Sequence, residues 1–157
     1  MNNTYHSPAE IIRQFLKDKG IGTLVDDDPK SKLWNMFVSF MPDGPKVEHD
    51  LITLNDTIGS DFGRIMKTGR YVSKPGVQIQ VRAMDFNVGW RKLKEISCAL
   101  DEAKDETVNI TDKDAVVHNY TILTLSRTSP PAPIGTEQGT NRREMYTVNY
   151  LATLKEN

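Results

Sequence analysis

Gly76-Val-Gln-Ile-Gln-Val-Arg-Ala83 runs directly into Met84-Asp-Phe-Asn-Val-Gly-Trp-Arg-Lys-Leu93, and this stretch decides the fold. Apolar and polar residues alternate over 77–83, which predicts a strand with one face in the core. Asp85 then caps a predicted helix whose apolar residues recur at helical intervals to about residue 104. The pattern predicts a sheet that packs one face against a helix.

The other face of this predicted strand carries three long polar side chains, Gln78, Gln80 and Arg82. Such a face of an antiparallel sheet lies either in water or against a partner protein. The local pattern leaves both interpretations open.

The chain before this strand predicts one helix and two strands. Ser7, Pro8 and Glu10 form a helix start with a capping box, and Gly20 ends the helix. Residues 33–41 are rich in aromatic and branched side chains, which predicts a strand internal to a sheet or partly inside an interface. A short strand over 50–55 is expected to pair with it as a hairpin or meander.

Three further strands are predicted after the central helix, at 108–111, 115–126 and 143–154, the last with the cleanest alternation. Two glycine- and proline-containing segments, 57–75 and 129–141, read as long irregular loops. The sequence therefore predicts a single α+β domain over 1–157, a largely antiparallel sheet flanked by two helices, with two long loops.

Composition limits the classes of function. The chain has 157 residues and a formal net charge of −1, which disfavours a general polyanion binder. No apolar run is long enough to span a membrane, and the polar N-terminus does not resemble a secretory signal. The single cysteine, Cys98, falls within the helical pattern and is expected to be a small buried hydrophobe.

The residues that commonly carry chemistry are scattered. His6, His49 and His118 lack metal-ligand spacing, and Asp26–Asp28 reads as a solvated acidic turn because the calcium-loop pattern does not follow it. No nucleophile elbow or phosphate loop is present in the sequence. We therefore expect no catalytic residues, no cofactor site and no metal site.

Basic residues form two local patches, Arg64, Lys67, Arg70 and Lys74 in the first predicted loop and Arg142 and Arg143 at the end of the second. They are either solvated or in electrostatic contact with a partner protein or passing DNA. No aromatic residues are regularly interleaved with them, so sequence-specific reading of nucleic acid is not expected.

Three segments carry a family resemblance: Pro75–Asp85 with Gly89-Trp90, the proline-rich Pro130–Gly135, and the run Arg142–Leu154 into the last strand. With the helix that opens at Ser7, their order is similar to that of phage tail terminator proteins, also called minor capsid or tail-to-head joining proteins. The resemblance covers most of the chain and is least certain over 57–76.

This resemblance implies a homo-oligomeric ring, usually of six subunits, at the head-proximal end of a phage tail. The ring would end tail-tube polymerisation, join the tail to neck or connector proteins, and let DNA pass without sequence-specific binding. It implies a virion location, assembly in the host cytoplasm, no membrane and no enzymatic activity. The expected subunit or partner contacts are Arg64, Lys67, Arg70, Gln78, Gln80, Arg82, Pro130, Pro131, Pro133, Arg142 and Arg143.

Other functions remain open on the sequence. A head-completion protein or a tail-tube subunit shares small α+β architecture. An enzyme or ligand-binding domain would place its site in the 57–75 segment, and a regulatory dimer would have no viral role.

Overall fold

The computed structural model describes residues 4–24, 34–44, 46–64, 66–69, 71–137 and 142–157. Within these ranges, two helices and eight strands form an α+β fold, as predicted. In chain order they are α1 Pro8–Asp18, β1 Gly22–Thr23, β2 Trp34–Val38, β3 Leu51–Arg64, β4 Tyr71–Ala83, α2 Phe86–Glu102, β5 Lys104–Thr111, β6 Val117–Arg127, β7 Ala132–Thr136 and β8 Glu144–Glu156.

The strands form one curled sheet, a half-barrel, in the order β1-β2-β3-β4-β8-β6-β5. Strand β7 follows β6 along the chain and pairs with the first half of β8. The β1–β2 and β2–β3 pairs are parallel and the other pairs are antiparallel. The largely antiparallel sheet is thereby confirmed.

Both predicted helix starts are present. The Ser7 side chain accepts from the Glu10 backbone N–H, and the Glu10 carboxylate accepts from the Ser7 N–H, so the capping box is complete. The Asp85 carboxylate accepts from the Val88 N–H at 3.0 Å. The N-cap residues Ser7 and Asp85, which the sequence predicts, thus fix where the two helices begin.

The core lies between the helices and one sheet face. The apolar face of β4 is fully buried, as is the alternating set on β8 that begins with Tyr146. At Gly89 the helix α2 comes so close to the sheet that an added Cβ would lie 2.5 Å from the Tyr146 ring. The Tyr146 hydroxyl donates to the Phe86 carbonyl at 2.8 Å, which fixes the start of α2 on β8.

The segment 57–75 is a β-hairpin, so its prediction as an irregular loop is wrong. Strands β3 and β4 stay paired from Leu51 opposite Arg82 out to Arg64 opposite Tyr71, with register shifts on the way. Gly59 lies at one such shift, where a Cβ would stand 1.9 Å from the Lys74 carbonyl oxygen. The glycines that suggested a loop instead permit a bulged ribbon.

Two other pairing predictions are corrected. Strands β2 and β3 run parallel, so residues 33–41 and 50–55 do not form a hairpin or meander. The second predicted loop contains β7, with Pro133 opposite Tyr146. Proline is tolerated there because a strand at a sheet edge can leave its nitrogen outside the ladder.

Side-chain burial also differs from expectation at helix α2. Cys98 is exposed and not a buried hydrophobe. The predicted apolar stripe holds at Leu93 and Ile96, whereas Phe86 is 51% exposed and Trp90 is half-buried. The helix therefore packs along a line from Gly89 to Leu100, and Phe86 lies at its rim. The predicted acidic turn Asp26–Asp28 lies outside the described residues.

Candidate functional site

The sheet face opposite the helices presents a polar strip at its centre. Thr53, Gln80 and Thr147 stand directly opposite one another on β3, β4 and β8, and Asn55, Gln78 and Asn149 form the next row. The two glutamines are half-buried, and the Gln80 Nε2 donates to the Gln78 Oε1 at 3.2 Å. The prediction that both glutamines share the face opposite the core is confirmed.

Two hydroxyls in this strip are orphaned. The Oγ1 atoms of Thr53 and Thr147 are buried, and neither has a hydrogen-bond partner among the described residues. Buried polar atoms are nearly always satisfied, so the strip has hydrogen-bonding capacity that the described chain does not use.

Arg82 belongs to the same strand face but does not extend into solvent. It is fully buried, and its guanidinium donates to the carbonyls of Pro42, Glu48 and His49 at 3.0, 3.0 and 3.2 Å. Burial lowers its pKa. The prediction of an outward contact residue is wrong here, because backbone between residues 42 and 49 covers the end of β4.

Arg143 is also buried and binds its own chain. Its Nη2 donates to the Asp43 Oδ1 at 2.9 Å and makes an ion pair with Glu137. The Arg143 hydrogen bond, helped by the Gly44 N–H, lowers the pKa of Asp43. Burial disfavours the charged form of Arg143, but its interactions with Asp43 and Glu137 outweigh this effect and raise its pKa. Arg143 is therefore an internal anchor, not the outward contact predicted for it.

The outer part of the β3–β4 hairpin, residues 57–75, is here called the arm. Strand β2 pairs with β3 only as far as Leu54, and β8 pairs with β4 only from Gly76 onward. Within the described chain, the arm is thus a two-stranded ribbon without a third strand. Ile58 and Met66 on it are 99% and 102% exposed.

Three of the six basic residues predicted as contacts, Arg64, Lys67 and Arg70, belong to the arm. Lys67 and Arg64 are exposed. Arg70 lies outside the described residues. The sequence of the arm carries four basic residues, Arg64, Lys67, Arg70 and Lys74, against the single acid Asp61.

The second predicted contact region lies across β8 from β4. Pro130, Pro133 and Arg142 are exposed and Pro131 is half-buried. They belong to β7 and its flanks, beside the half of β8 that faces Ala83, whereas the arm departs at Gly76. Pro133 is level with Val81, five residues or about 17 Å along β4 from Gly76, and Ser129, next to Pro130, contacts Asn149 opposite Gln78. The structure therefore divides the predicted site into two regions.

One cluster escaped prediction. Tyr5 stacks on His118 with ring centroids 4.4 Å apart, and the His6 Nδ1 lies 2.7 Å from the Tyr120 hydroxyl. His118 contacts the Asp112 carboxylate at 3.3 Å. Tyr5 and His6 are remote in sequence from His118 and Tyr120, and no spacing signal connects them, because contacts of the segment before α1 with β6 and β8 bring them together.

This cluster borders a cleft of about 570 Å³ between α1 and the end of β5. Burial raises the pKa of Tyr120, so its hydroxyl stays protonated near neutrality. Hydrogen bonds from the Val116 N–H and from His118 lower the pKa of Asp112. Since Asp112 also accepts from the Asp114 N–H, its role is to close the β5–β6 turn. The arrangement holds the N-terminal segment on the sheet.

The chain matches no protein-family model, and no curated protein matches it significantly. Within the described residues, no group of three or more histidine, cysteine or acidic side chains has metal-binding geometry. Neither described helix is both long and apolar enough to cross a bilayer.

Proposed function

We propose that this protein is a structural component of a phage virion, a tail terminator. Copies would close into a ring, of six subunits by family resemblance, at the head-proximal end of the tail. The ring would stop tail-tube polymerisation and join the tube to neck or connector proteins. The observation that carries the proposal is the arm, with its two fully exposed apolar side chains.

The arm is energetically unfavourable in a monomer. A two-stranded ribbon is marginally stable in water, and Ile58 and Met66 gain nothing by facing solvent. If the arm lies against another protein, the contact stabilises the ribbon and buries Ile58 and Met66. A closed ring supplies such a partner, because each subunit of a heterologous interface meets a different surface of the next.

The separation of the two exposed regions supports a position between other assemblies. The arm departs from β4 at Gly76, while the proline-containing β7 region lies on the far side of β8. One region can contact a neighbouring subunit while the other contacts the tail tube or the neck. The arrangement suits a joining protein better than a subunit with a single contact surface.

The nearly neutral net charge of the chain suits a channel through which DNA passes. A strongly basic lining would retain the genome by counterion release, whereas this chain has a formal net charge of −1. The two buried arginines are occupied by carbonyls and carboxylates of their own chain. This balance is compatible with passage of DNA without sequence-specific binding.

The proposal places the protein in the tail and neck of the virion, and in the host cytoplasm during assembly. It involves no catalytic step and no cofactor. An enzyme with its site in the 57–75 segment is less well supported, because that segment is a ribbon and the cleft lies elsewhere, between α1 and β5.

Oligomer size provides the first test. Sedimentation velocity of purified protein, over a range of concentrations, is expected to show a ring-sized species. A strict monomer at every concentration, together with turnover of a small substrate, would favour the enzyme instead.

A polymerisation assay separates the related virion functions. Tail-tube protein is assembled alone or with this protein, and tube lengths are measured by electron microscopy. A terminator shortens and caps the tubes. Incorporation along the tube would identify a tube subunit, and an effect only on capsids would identify a head-completion protein.

A further inference from the structure

We infer that the arm of one copy docks along the β5 edge of the next copy, and that this contact closes the ring. The inference rests on the proposed ring and adds to it the two surfaces that meet. Three observations carry it: an unpaired ribbon, an unpaired strand edge, and opposite charges on the two.

Strand β5 ends the sheet on the side away from β3. It pairs with β6 alone within the described chain, from Lys104 opposite Thr124 to Thr111 opposite Val117. Its outer edge therefore offers backbone N–H and C=O groups to another strand. Exposed edges of this kind readily accept an added strand.

The arm offers the matching element. Beyond Leu54 and Gly76 its two strands pair only with each other among the described residues, so it too has unpaired edges. It lies in the β3–β4 part of the sheet, whereas β5 is the edge beyond β6. A contact between these two places is heterologous, which is the kind that can close into a ring.

Charge favours this pairing over arm-to-arm contact. The arm has four basic residues against one acid. The segment 101–114, from the end of α2 through β5 into the following turn, has the opposite balance. It contains the six acids Asp101, Glu102, Asp105, Glu106, Asp112 and Asp114 against Lys104 and Lys113.

The acids do not all serve internal contacts. Asp101 pairs with Arg127, and Glu106 pairs with Lys19 of the same chain. Glu102 and Asp105, however, are exposed at the junction of α2 and β5. Two arms would repel each other, whereas an arm and this junction attract.

A charge-exchange series tests the inference. Lys67→Glu reverses an exposed charge on the arm, and Glu102→Lys reverses one at the α2–β5 junction. Neither residue is buried, and a lysine at the C-terminal end of α2 suits the helix dipole, so both variants should fold. Arg91→Glu, on the exposed surface of α2, makes the same charge change as Lys67→Glu and is the control for that variant.

Association is measured by sedimentation velocity at low and moderate salt. Each single variant is expected to weaken association about tenfold, the double variant to restore it, and Arg91→Glu to leave it unchanged. A wild type that never associates would overturn both the ring and this contact. A ring that forms normally with Lys67→Glu, or a double variant without rescue, would overturn this contact while the ring stands.

Discussion

The guanidinium of Arg143 donates to the carboxylate of Asp43 at 2.9 Å, across 100 residues of chain. Arg82, buried nearby on β4, donates to three backbone carbonyls between Pro42 and His49. The two arginines hold the connection between β2 and β3 over the end of the central strands. Residues predicted for a subunit interface thus stabilise the fold of a single chain.

Arg82→Met should destabilise the protein by about 3 kcal/mol, because the buried guanidinium's three hydrogen bonds to backbone carbonyls are lost at once. Arg82→Lys should not restore stability, since one ammonium cannot reproduce the planar fork. Urea unfolding followed by circular dichroism measures the change. Gln80→Met, on the same face, is the control and should cost far less. Equal costs would mean that the Arg82 contacts contribute little.

The Asp43–Arg143 pair should make stability depend on pH in the acid range. The folded-state pKa of Asp43 lies below its ordinary value of 3.8, so its contribution is fully present above that value. It is lost as pH falls through the folded-state pKa. Asp43→Asn should therefore differ from wild type by a constant amount at neutral pH, and the difference should shrink below about pH 4. Unfolding curves from pH 7 to pH 2 provide the measurement, and a difference independent of pH would contradict the assignment.

Gly89→Ala should destabilise the fold although alanine is the better helix former. The added methyl group would lie 2.5 Å from the Tyr146 ring and 2.9 Å from the Ala83 Cβ. We expect overpacking to lower the free energy of unfolding by about 1–3 kcal/mol. The higher helix propensity of alanine should raise it by about 1 kcal/mol. Thermal unfolding reports the balance. Cys98→Ala, at an exposed position of the same helix, should be nearly neutral.

The double variant Ile58→Ser and Met66→Ser should keep the stability of the single chain within about 0.5 kcal/mol, since both side chains are exposed. Association should nevertheless weaken if the arm is a contact surface. Unfolding of diluted protein and sedimentation of concentrated protein separate the two effects. Loss of stability without loss of association would place these side chains within the fold and not at an interface.

Cys98 should react with a thiol reagent in the native protein at close to one equivalent, because it is exposed on α2. Absorbance with a chromogenic disulfide measures the extent without denaturant. A thiol that reacts only after unfolding would restore the prediction of a buried residue.

The sequence by itself determined the parts of this protein that depend on neighbours along the chain. Ser7 and Asp85 began their helices where their caps predicted, and the alternating residues of β4 and β8 entered the core together. Helix capping and the alternation of apolar and polar residues involve only neighbouring residues, so both can be predicted from the sequence.

Only the tertiary structure decided which polar residues face outward. Arg82 is the third member of an alternating polar row, yet the backbone between Pro42 and His49 covers it and leaves Gln78 and Gln80 half-buried. Tertiary pairing also made a ribbon of residues rich in glycine, and brought His118 to Tyr5. Burial and strand pairing depend on segments that are distant along the chain. A local sequence pattern does not show which distant segment will pack against it.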